Sequence, residues 1–232
     1  MVISRRLLLV AGAASPASAY GQCVIEEART NILFPSVPST TDNWITQGAV
    51  TFGSAGGSVT LPDGTSSTTS LLAATSTAVD NRDILRNPGP AATGNTTYTV
   101  SAFVKSSAGS NAYIQVNGDG APVGYYNLTA GTAVVGQDLG PGATNKSVAI
   151  TPLANGWYRI SMTFTSGPAT TSLLVFIGTC SVVSTSGDNR STAGVVGHGI
   201  YIWGVQAEPG AFASSYIPAT NAPVGRAPRC GR

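Results

Sequence analysis

The sequence is poor in charge. Only 9% of its 232 residues are Asp, Glu, Lys or Arg, against about 25% in an ordinary globular domain. Long solvated helices, coiled coils and charged disordered tails need more charge than this, so the composition excludes them. The formal net charge is +2, and no basic cluster follows Arg6. Because nucleic-acid-binding proteins carry such a cluster, we expect no nucleic-acid partner.

Long apolar runs are also missing. No stretch approaches the roughly 18 consecutive apolar residues that a membrane span requires. Hydrophobic residues still make up 42% of the chain, which is enough to bury the core of one large β domain. Ser, Thr, Val and 28 glycines recur throughout, and this composition favours strands and turns over helices. We therefore predict a mainly β protein with no membrane span.

Cysteine and histidine are scarce, with three Cys and one His. The odd count permits at most one intramolecular disulfide. The candidate pair is Cys23 and Cys230, because the two ends of a domain often lie close together; three free thiols are the alternative. His198 stands alone and no CxxC occurs, so no zinc site is predicted. We expect no cofactor, with a structural calcium ion held by acidic side chains and carbonyls as a minor alternative.

The N-terminal residues have two interpretations. Arg5 and Arg6 precede an apolar stretch over residues 7–14 and then Ala17-Ser18-Ala19, which fits a signal peptide cleaved after Ala19. The other interpretation is a retained arm that inserts into a larger assembly. The sequence leaves both open, so residues 1–25 are predicted to be either an N-terminal arm or a signal-like segment.

Short β-prone runs alternate with turn signals such as Asn155-Gly156. In residues 97–105 and 157–165, apolar side chains fall on one face and mostly polar ones on the other, which predicts one buried and one solvent-facing side. Residues 173–177 and 200–205 are apolar on both faces, so we predict strands covered on both sides. Residues 112–116 predict a further strand, and one helical turn is weakly indicated near residues 80–85.

These elements predict an all-β fold with three parts. Residues 26–218 form one antiparallel β-sandwich, of which a jelly roll is the type that best fits the number of strands. An extended N-terminal arm precedes this domain. A C-terminal tail covers residues 219–232.

No catalytic set is evident. Glycoside hydrolysis needs two carboxylates facing each other across a cleft, whereas most of the ten acidic residues lie in turn segments. The adjacent Glu26 and Glu27 face opposite ways in an extended chain. There is no G-x-S-x-G of a serine hydrolase, and the glycine-rich stretch at 53–57 lacks the Lys of a phosphate-binding loop. We predict that the protein is not an enzyme.

Six blocks follow one another in a recognisable order. They are IEEARTNIL at 25–33, followed by Trp44, then LPDGT at 61–65, YTVSAFVK at 98–105, NGWYR at 155–159, GIYIWGVQAE at 199–208 and SYIP at 215–218. Together they resemble a carbohydrate-binding-module-like jelly-roll domain of tailed-phage and prophage fibre and spike proteins. The order of the blocks carries the resemblance, which runs from Val24 onward. It implies a jelly-roll fold in an accessory virion protein that touches host-surface glycan.

Four residues are the candidates for a glycan site. Such sites place an aromatic face against the apolar face of a pyranose and use planar polar groups for its hydroxyls. On the strand faces predicted to meet solvent, the residues that fit are Tyr113, Gln115, Trp157 and Arg159. The structural alternatives are that Trp157 caps the edge of the core and that Arg159 pairs with a carboxylate. Tyr201 and Trp203 are predicted to be core residues.

Two functional hypotheses follow. In the first, the chain is an accessory virion structural protein, either a head fibre, spike or decoration or a short tail-fibre module. Its arm docks on other virion proteins and its jelly roll faces host surface polysaccharide; a homo-oligomer is expected, and fibres and spikes are commonly trimers. In the second, it is a secreted bacterial carbohydrate-binding or adhesion module whose signal peptide is cleaved. A purely structural role without any glycan fits the sequence as well.

Overall fold

The structure is a computed structural model and describes residues 24–53, 58–67 and 71–231. Within these ranges it contains no α-helix, only one 3-10 turn at Ala154–Gly156. In chain order the strands are β1 (Val24–Glu26), β2 (Arg29–Asn31), β3 (Trp44–Gln47), β4 (Val50–Gly53), β5 (Val59–Thr60), β6 (Ser66–Ser67), β7 (Leu71–Ala74), β8 (Val79–Asp80), β9 (Asp83–Arg86), β10 (Thr97–Ser106), β11 (Asn111–Asn117), β12 (Val123–Asn127), β13 (Thr132–Val135), β14 (Thr144–Pro152), β15 (Trp157–Thr165), β16 (Leu174–Cys180), β17 (Thr192–Ala193), β18 (Gly199–Pro209), β19 (Val224–Arg226) and β20 (Arg229–Gly231).

Two antiparallel sheets of six strands pack face to face. The first sheet has the order β14-β15-β10-β18-β7-β4 and the second has the order β13-β12-β11-β16-β9-β3. The predicted all-β antiparallel sandwich is therefore confirmed, and its arrangement is jelly-roll-like. The strands expected from the alternating runs are present as β10, β11, β15, β16 and β18. The prediction of a helical turn near residues 80–85 was wrong, because β8 and β9 occupy that stretch.

The main core lies between the two sheets. On β10, Val100 and Val104 point inward, and on the facing strand β11 Ile114 does the same; all three are fully buried. Trp44 from β3 joins this core at one edge. Complete burial of a large aliphatic side chain contributes about 1.5–3 kcal/mol, so the inward half of each alternating run stabilises the fold. The prediction of the inward faces is confirmed.

The alternation predicted that the outward faces meet solvent, but clusters of buried side chains lie on both of them. On the first sheet, a second cluster joins Val59, Leu61, Phe103, Trp157 and Trp203. On the second sheet, a third cluster joins Tyr113, Val123, Tyr125, Phe176 and Cys180. The period of a strand shows which residues share a face, but it does not show whether a loop returns over that face. The expectation that β16 and β18 are covered on both sides is confirmed.

The two ends of the described chain pair with each other. Strand β1 pairs with β20 and places Ile25 opposite Cys230, while β2 pairs with β19. The segment predicted as a tail thus contributes two short strands. Cys23 lies outside the described residues, as does most of the predicted arm, so the Cys23–Cys230 disulfide stays a prediction. Across the ranges given above, no helix is long and apolar enough to span a membrane.

Candidate functional site

A two-part groove runs across the outer face of the first sheet. Its first part is a cavity of about 570 Å³, which we call the aromatic part. The second is a cavity of about 500 Å³, which we call the polar part. Phe103 and Leu153 line both, so the two parts adjoin. The hairpin of β5 and β6 and the segment after β18 form the walls.

Three aromatic rings form the floor of the aromatic part. The ring of Trp203 lies 4.7 Å from that of Tyr216 and 5.2 Å from that of Phe103, measured between centroids. Phe103 and Tyr216 meet edge to face at 5.8 Å. Such tilted and edge-on contacts are the favoured aromatic geometries. Phe103 and Trp203 are each 8% exposed, so the rings are packed against one another and show only a small part of their surface to the groove.

A β-bulge aims Trp203 outward. Phe103 on β10 stands opposite Trp203 on β18, but the register shifts between Ser101 and Phe103. The bulge contains Gly204, whose φ of 57° is in the left-handed region that glycine adopts without strain. A Cβ at this position would also lie 2.8 Å from the Phe103 ring. Glycine is therefore required here, and it lets Trp203 point into the groove while Val205 returns to the core.

Hydrogen bonds fix Tyr216 and the residues that follow it in the chain. Its hydroxyl lies 2.6 Å from the Ser36 hydroxyl, and Ser36 Oγ also accepts a bond from the Ala219 amide. Asn31 donates from Nδ2 to the Ile217 carbonyl at 2.9 Å. Because hydrogen bonds on both sides hold this segment, the third ring of the floor has a defined position.

A buried polar network holds the same segment to β18. Glu208 is fully buried, and its Oε1 accepts bonds from Gln206 Nε2 at 2.6 Å and from the Ser214 amide at 2.8 Å. The Ser214 hydroxyl donates to Glu208 Oε2 at 2.7 Å. Gln206 Oε1 accepts from the Ile217 amide at 2.7 Å. A buried carboxylate is costly unless it is hydrogen-bonded, and this network supplies those bonds.

The opposite wall is the hairpin of β5 and β6. Its turn contains Asp63, which accepts bonds at Oδ1 from the amide and hydroxyl of Thr65. This local pattern is the usual reason for Asp in a turn. Asp63 is exposed on the groove rim. Nearby, Asn155 adopts a φ of 58° in the 3-10 turn and lines the same part of the groove.

Arg159 lines the polar part. It is half-buried, it donates from Nη2 to the Ser101 hydroxyl at 3.1 Å, and its guanidinium lies 5.3 Å from the centroid of Phe103. That distance permits a cation–π attraction. The other polar residues of this lining are hydroxyl-bearing: Ser147, Thr151, Ser161 and Thr163. Within the described part of the chain, no Asp or Glu lines the polar part.

The four predicted site residues do not lie together. Arg159 is in the groove, while Trp157 is 1% exposed and lies beneath the hairpin, where its Nε1 donates to the Thr60 carbonyl. Tyr113 and Gln115 lie on the outer face of the other sheet. The alternation correctly put all four on outward faces, but it carries no information on which sheet each strand joins. The structure thus brings Trp157 and Arg159 onto one face and separates them from Tyr113 and Gln115.

Tyr113 and Gln115 belong to a buried network. The Tyr113 hydroxyl donates to Asp83 Oδ2 at 2.5 Å, and Gln115 Oε1 accepts from Arg190 Nη1. Arg190 also pairs with Asp188 at 2.7 Å within the loop before β17, and its bond to Gln115 holds that loop against this sheet. Burial raises the pKa of Asp83 to about 6, opposed by the bond from Tyr113. Tyr113 is 0% exposed, so these two residues offer a ligand no accessible surface.

Sequence reasoning missed the aromatic floor. The prediction that Trp203 is a core residue is confirmed in that its side chain is buried, but it belongs to the outer cluster rather than to the main core. The finer signal is that aliphatic and aromatic residues alternate within residues 200–205: Ile200 and Ile202 face the core, while Tyr201 and Trp203 join the outer cluster. Treating aromatic residues as a separate class would have identified this face.

Acidic residues of the described segments do not form a metal centre. No group of three or more His, Cys, Asp or Glu side chains that could hold a metal ion occurs in the ranges the structure covers. Asp63 and Glu208, acidic residues of two of the blocks named above, bind the local backbone and neighbouring side chains instead. The calcium ion considered from the sequence therefore gains no support from these two residues.

No protein-family model matches the chain, and no curated protein matches it. The groove and the ordered blocks are thus the observations from which a function can be argued.

Proposed function

We propose that the groove binds a glycan and that the chain is an accessory virion structural protein that presents this groove to host surface polysaccharide. The observation that carries the proposal is the aromatic floor of Phe103, Trp203 and Tyr216 beside the polar lining around Arg159. Glycan sites combine an apolar aromatic surface with a few placed polar groups. The exposed amide of Asn155 and the hydroxyls of the polar part meet the second requirement.

The distribution of the blocks supports the same proposal. The aromatic part of the groove takes residues from five of the blocks: 61–65, 98–105, 155–159, 199–208 and 215–218. The remaining block, 25–33, provides Asn31, which fastens the segment carrying Tyr216. Segments far apart in the sequence therefore meet at one surface. The virion location rests on the resemblance of these blocks.

We propose binding rather than hydrolysis. Hydrolysis of a glycosidic bond requires a pair of carboxyl groups on either side of the bond. Among the described residues that line either part of the groove, Asp63 alone carries a carboxyl group, and both acceptor bonds at its Oδ1 come from Thr65.

The test of glycan binding is a saccharide panel probed with the full chain and three variants. Trp203→Ala removes part of the floor, and Ala154→Trp fills the aromatic part from its exposed rim. Val79→Trp is the matched control, because Val79 is exposed and lies outside the groove. We expect both groove variants to lose binding while Val79→Trp keeps it, with circular dichroism showing an unchanged fold. Failure of every saccharide, or binding retained by both groove variants, would overturn the proposal.

The location has its own test. Intact mass and sedimentation of the protein from its native source show whether residues 1–19 are retained and whether the chain travels with virus particles. An uncut chain in particles is the expected result, and deletion of residues 1–22 should then release a folded domain. A free chain that begins at Tyr20 would instead favour the secreted carbohydrate-binding module.

A further inference from the structure

We propose that the groove selects an acidic oligosaccharide, with a sugar carboxylate bound at Arg159 and a neighbouring pyranose against the aromatic floor at Trp203. The inference rests on the proposed glycan function and adds the chemical class of the ligand. Its basis is the order of side chains across four adjacent strands of the first sheet.

These side chains form one transverse row. On β14, β15, β10 and β18, the residues directly opposite one another are Thr151, Arg159, Phe103 and Trp203. Neighbouring strands lie about 4.8 Å apart, so Arg159 and Trp203, two strands apart, are separated by roughly 10 Å at the backbone. One extended sugar residue covers about half of that distance. A saccharide lying across the strands therefore places one ring at Trp203 and the next group at Arg159.

The size of the groove fits a ligand longer than one sugar. Each part alone, at about 570 and about 500 Å³, falls within the range of roughly 300–1,000 Å³ that holds a small-molecule ligand. Leu153 lines both parts and is 38% exposed, so the two parts adjoin at an accessible side chain. We infer an oligosaccharide that occupies both parts.

The charge distribution favours an anion at the polar part. Arg159 is the charged residue of that lining in the described chain, whereas Asp63 lies at the far, aromatic part. Lys105 neighbours this row, since it stands opposite Trp157 on the same outer face. A guanidinium presents a planar fork of donors that matches a carboxylate. The half-buried position of Arg159 strengthens its attraction to an anion relative to an exposed site.

The side chain of Arg159 is also held in position before a ligand binds. The Ser101 hydroxyl accepts a bond from Nη2, and the Phe103 ring lies beneath the guanidinium. A positioned side chain loses less conformational entropy when a ligand binds. The surrounding hydroxyls of Thr151 and Ser147 are exposed and can bond to sugar hydroxyls, which distinguishes this surface from a site for a bare anion.

The experiment compares matched acidic and neutral saccharides on the full chain. The probes are oligosaccharides of hyaluronan, alginate, galacturonan and polysialic acid, each with its carboxyl-reduced neutral form. A heparan sulfate oligosaccharide tests sulfate as the anion, and poly-glutamate tests an acidic peptide. The variants are Arg159→Gln and the control Lys146→Gln, which removes the same charge from a lysine paired with Asp138 outside the groove.

We expect at least one acidic saccharide to bind about 10-fold or more tightly than its reduced form, as hydrogen bonds to a charged group predict. Arg159→Gln should abolish that difference between the acidic and the reduced form, while Lys146→Gln keeps it. Neutral forms that bind equally well would overturn the acidic preference and leave glycan binding standing. Binding of poly-glutamate that survives Trp203→Ala would overturn the saccharide assignment. Binding of no probe, acidic or neutral, would overturn both proposals.

Discussion

The indole Nε1 of Trp157 donates a 2.8 Å hydrogen bond to the main-chain carbonyl of Thr60. Trp157 begins β15 and Thr60 ends β5, so one side chain fastens the hairpin wall to the first sheet. The residue that the sequence marked as a sugar-stacking candidate is thus a support for the groove. The structural alternative was that Trp157 caps the edge of the core; the structure buries it in the outer cluster of the first sheet, together with residues of the hairpin.

The substitution Trp157→Phe should weaken the attachment of the β5–β6 hairpin to the first sheet, without leaving a large cavity beneath the hairpin. The phenyl ring retains much of the packing, but the Thr60 carbonyl loses its partner. We expect the free energy of unfolding to fall by about 0.5–1.5 kcal/mol, the usual net contribution of one hydrogen bond, because Thr60 is exposed and its carbonyl can bind water instead. Hydrogen exchange should accelerate in residues 58–67 more than in β10. Unchanged exchange in the hairpin would contradict the supporting role.

Ser214→Ala should weaken the other wall. The substitution removes the hydroxyl that donates to Glu208 Oε2 and lies 3.2 Å from Gln206 Nε2. A fully buried carboxylate oxygen then loses a partner, so we expect a loss of about 1–3 kcal/mol in unfolding free energy. Denaturant unfolding measures this loss of free energy. The fluorescence of the aromatic residues around Tyr216 should also change in the variant. The exposed Ser186→Ala is the control, and an equal effect there would contradict the assignment.

The sequence predicted the strands better than the site, for a physical reason. The alternation in β10 and β15 identified the inward faces because the core requires apolar side chains at every second position. The partners of those strands are set by the path of the chain between them. Tyr113 on β11 and Arg159 on β15 have the same pattern, yet they lie on different sheets. The groove also depends on a bulge at Gly204 and on returning loops, and neither has a periodic signal.

Cys180 should be unreactive in the folded protein. It is buried, its Sγ lies 3.6 Å from the Ala112 carbonyl, and burial raises the pKa of its thiol to about 12. Because the thiolate is the reactive form, a thiol reagent should label Cys180 only after unfolding. Peptide mapping after labelling in native buffer checks this. The predicted Cys23–Cys230 disulfide would leave no other thiol to label, and a native, unreduced protein that labels at Cys23 would contradict that pair.

Asp83 should make the protein less stable as pH rises from about 4 to about 7. Burial raises the pKa of Asp83 from 3.8 to about 6, with Tyr113, Arg190 and Asp80 as the charged or titrating groups around it. Its Oδ1 is buried without a hydrogen-bond partner among the described residues. A carboxyl with a raised folded-state pKa binds its proton more tightly in the native state. Its contribution is therefore present below pH 4 and is lost as pH rises through 6.

The substitution Asp83→Asn isolates this effect from other titrating groups. The amide resembles the protonated carboxyl, so the variant and the natural protein should have similar unfolding free energies at pH 4. At pH 7 the variant should be more stable, by up to about 3 kcal/mol, because ionised Asp83 is then disfavoured by burial. Urea unfolding at both pH values measures the difference. If the advantage of the variant over the natural protein is instead smaller at pH 7 than at pH 4, then Arg190 and Tyr113 compensate the buried charge of Asp83.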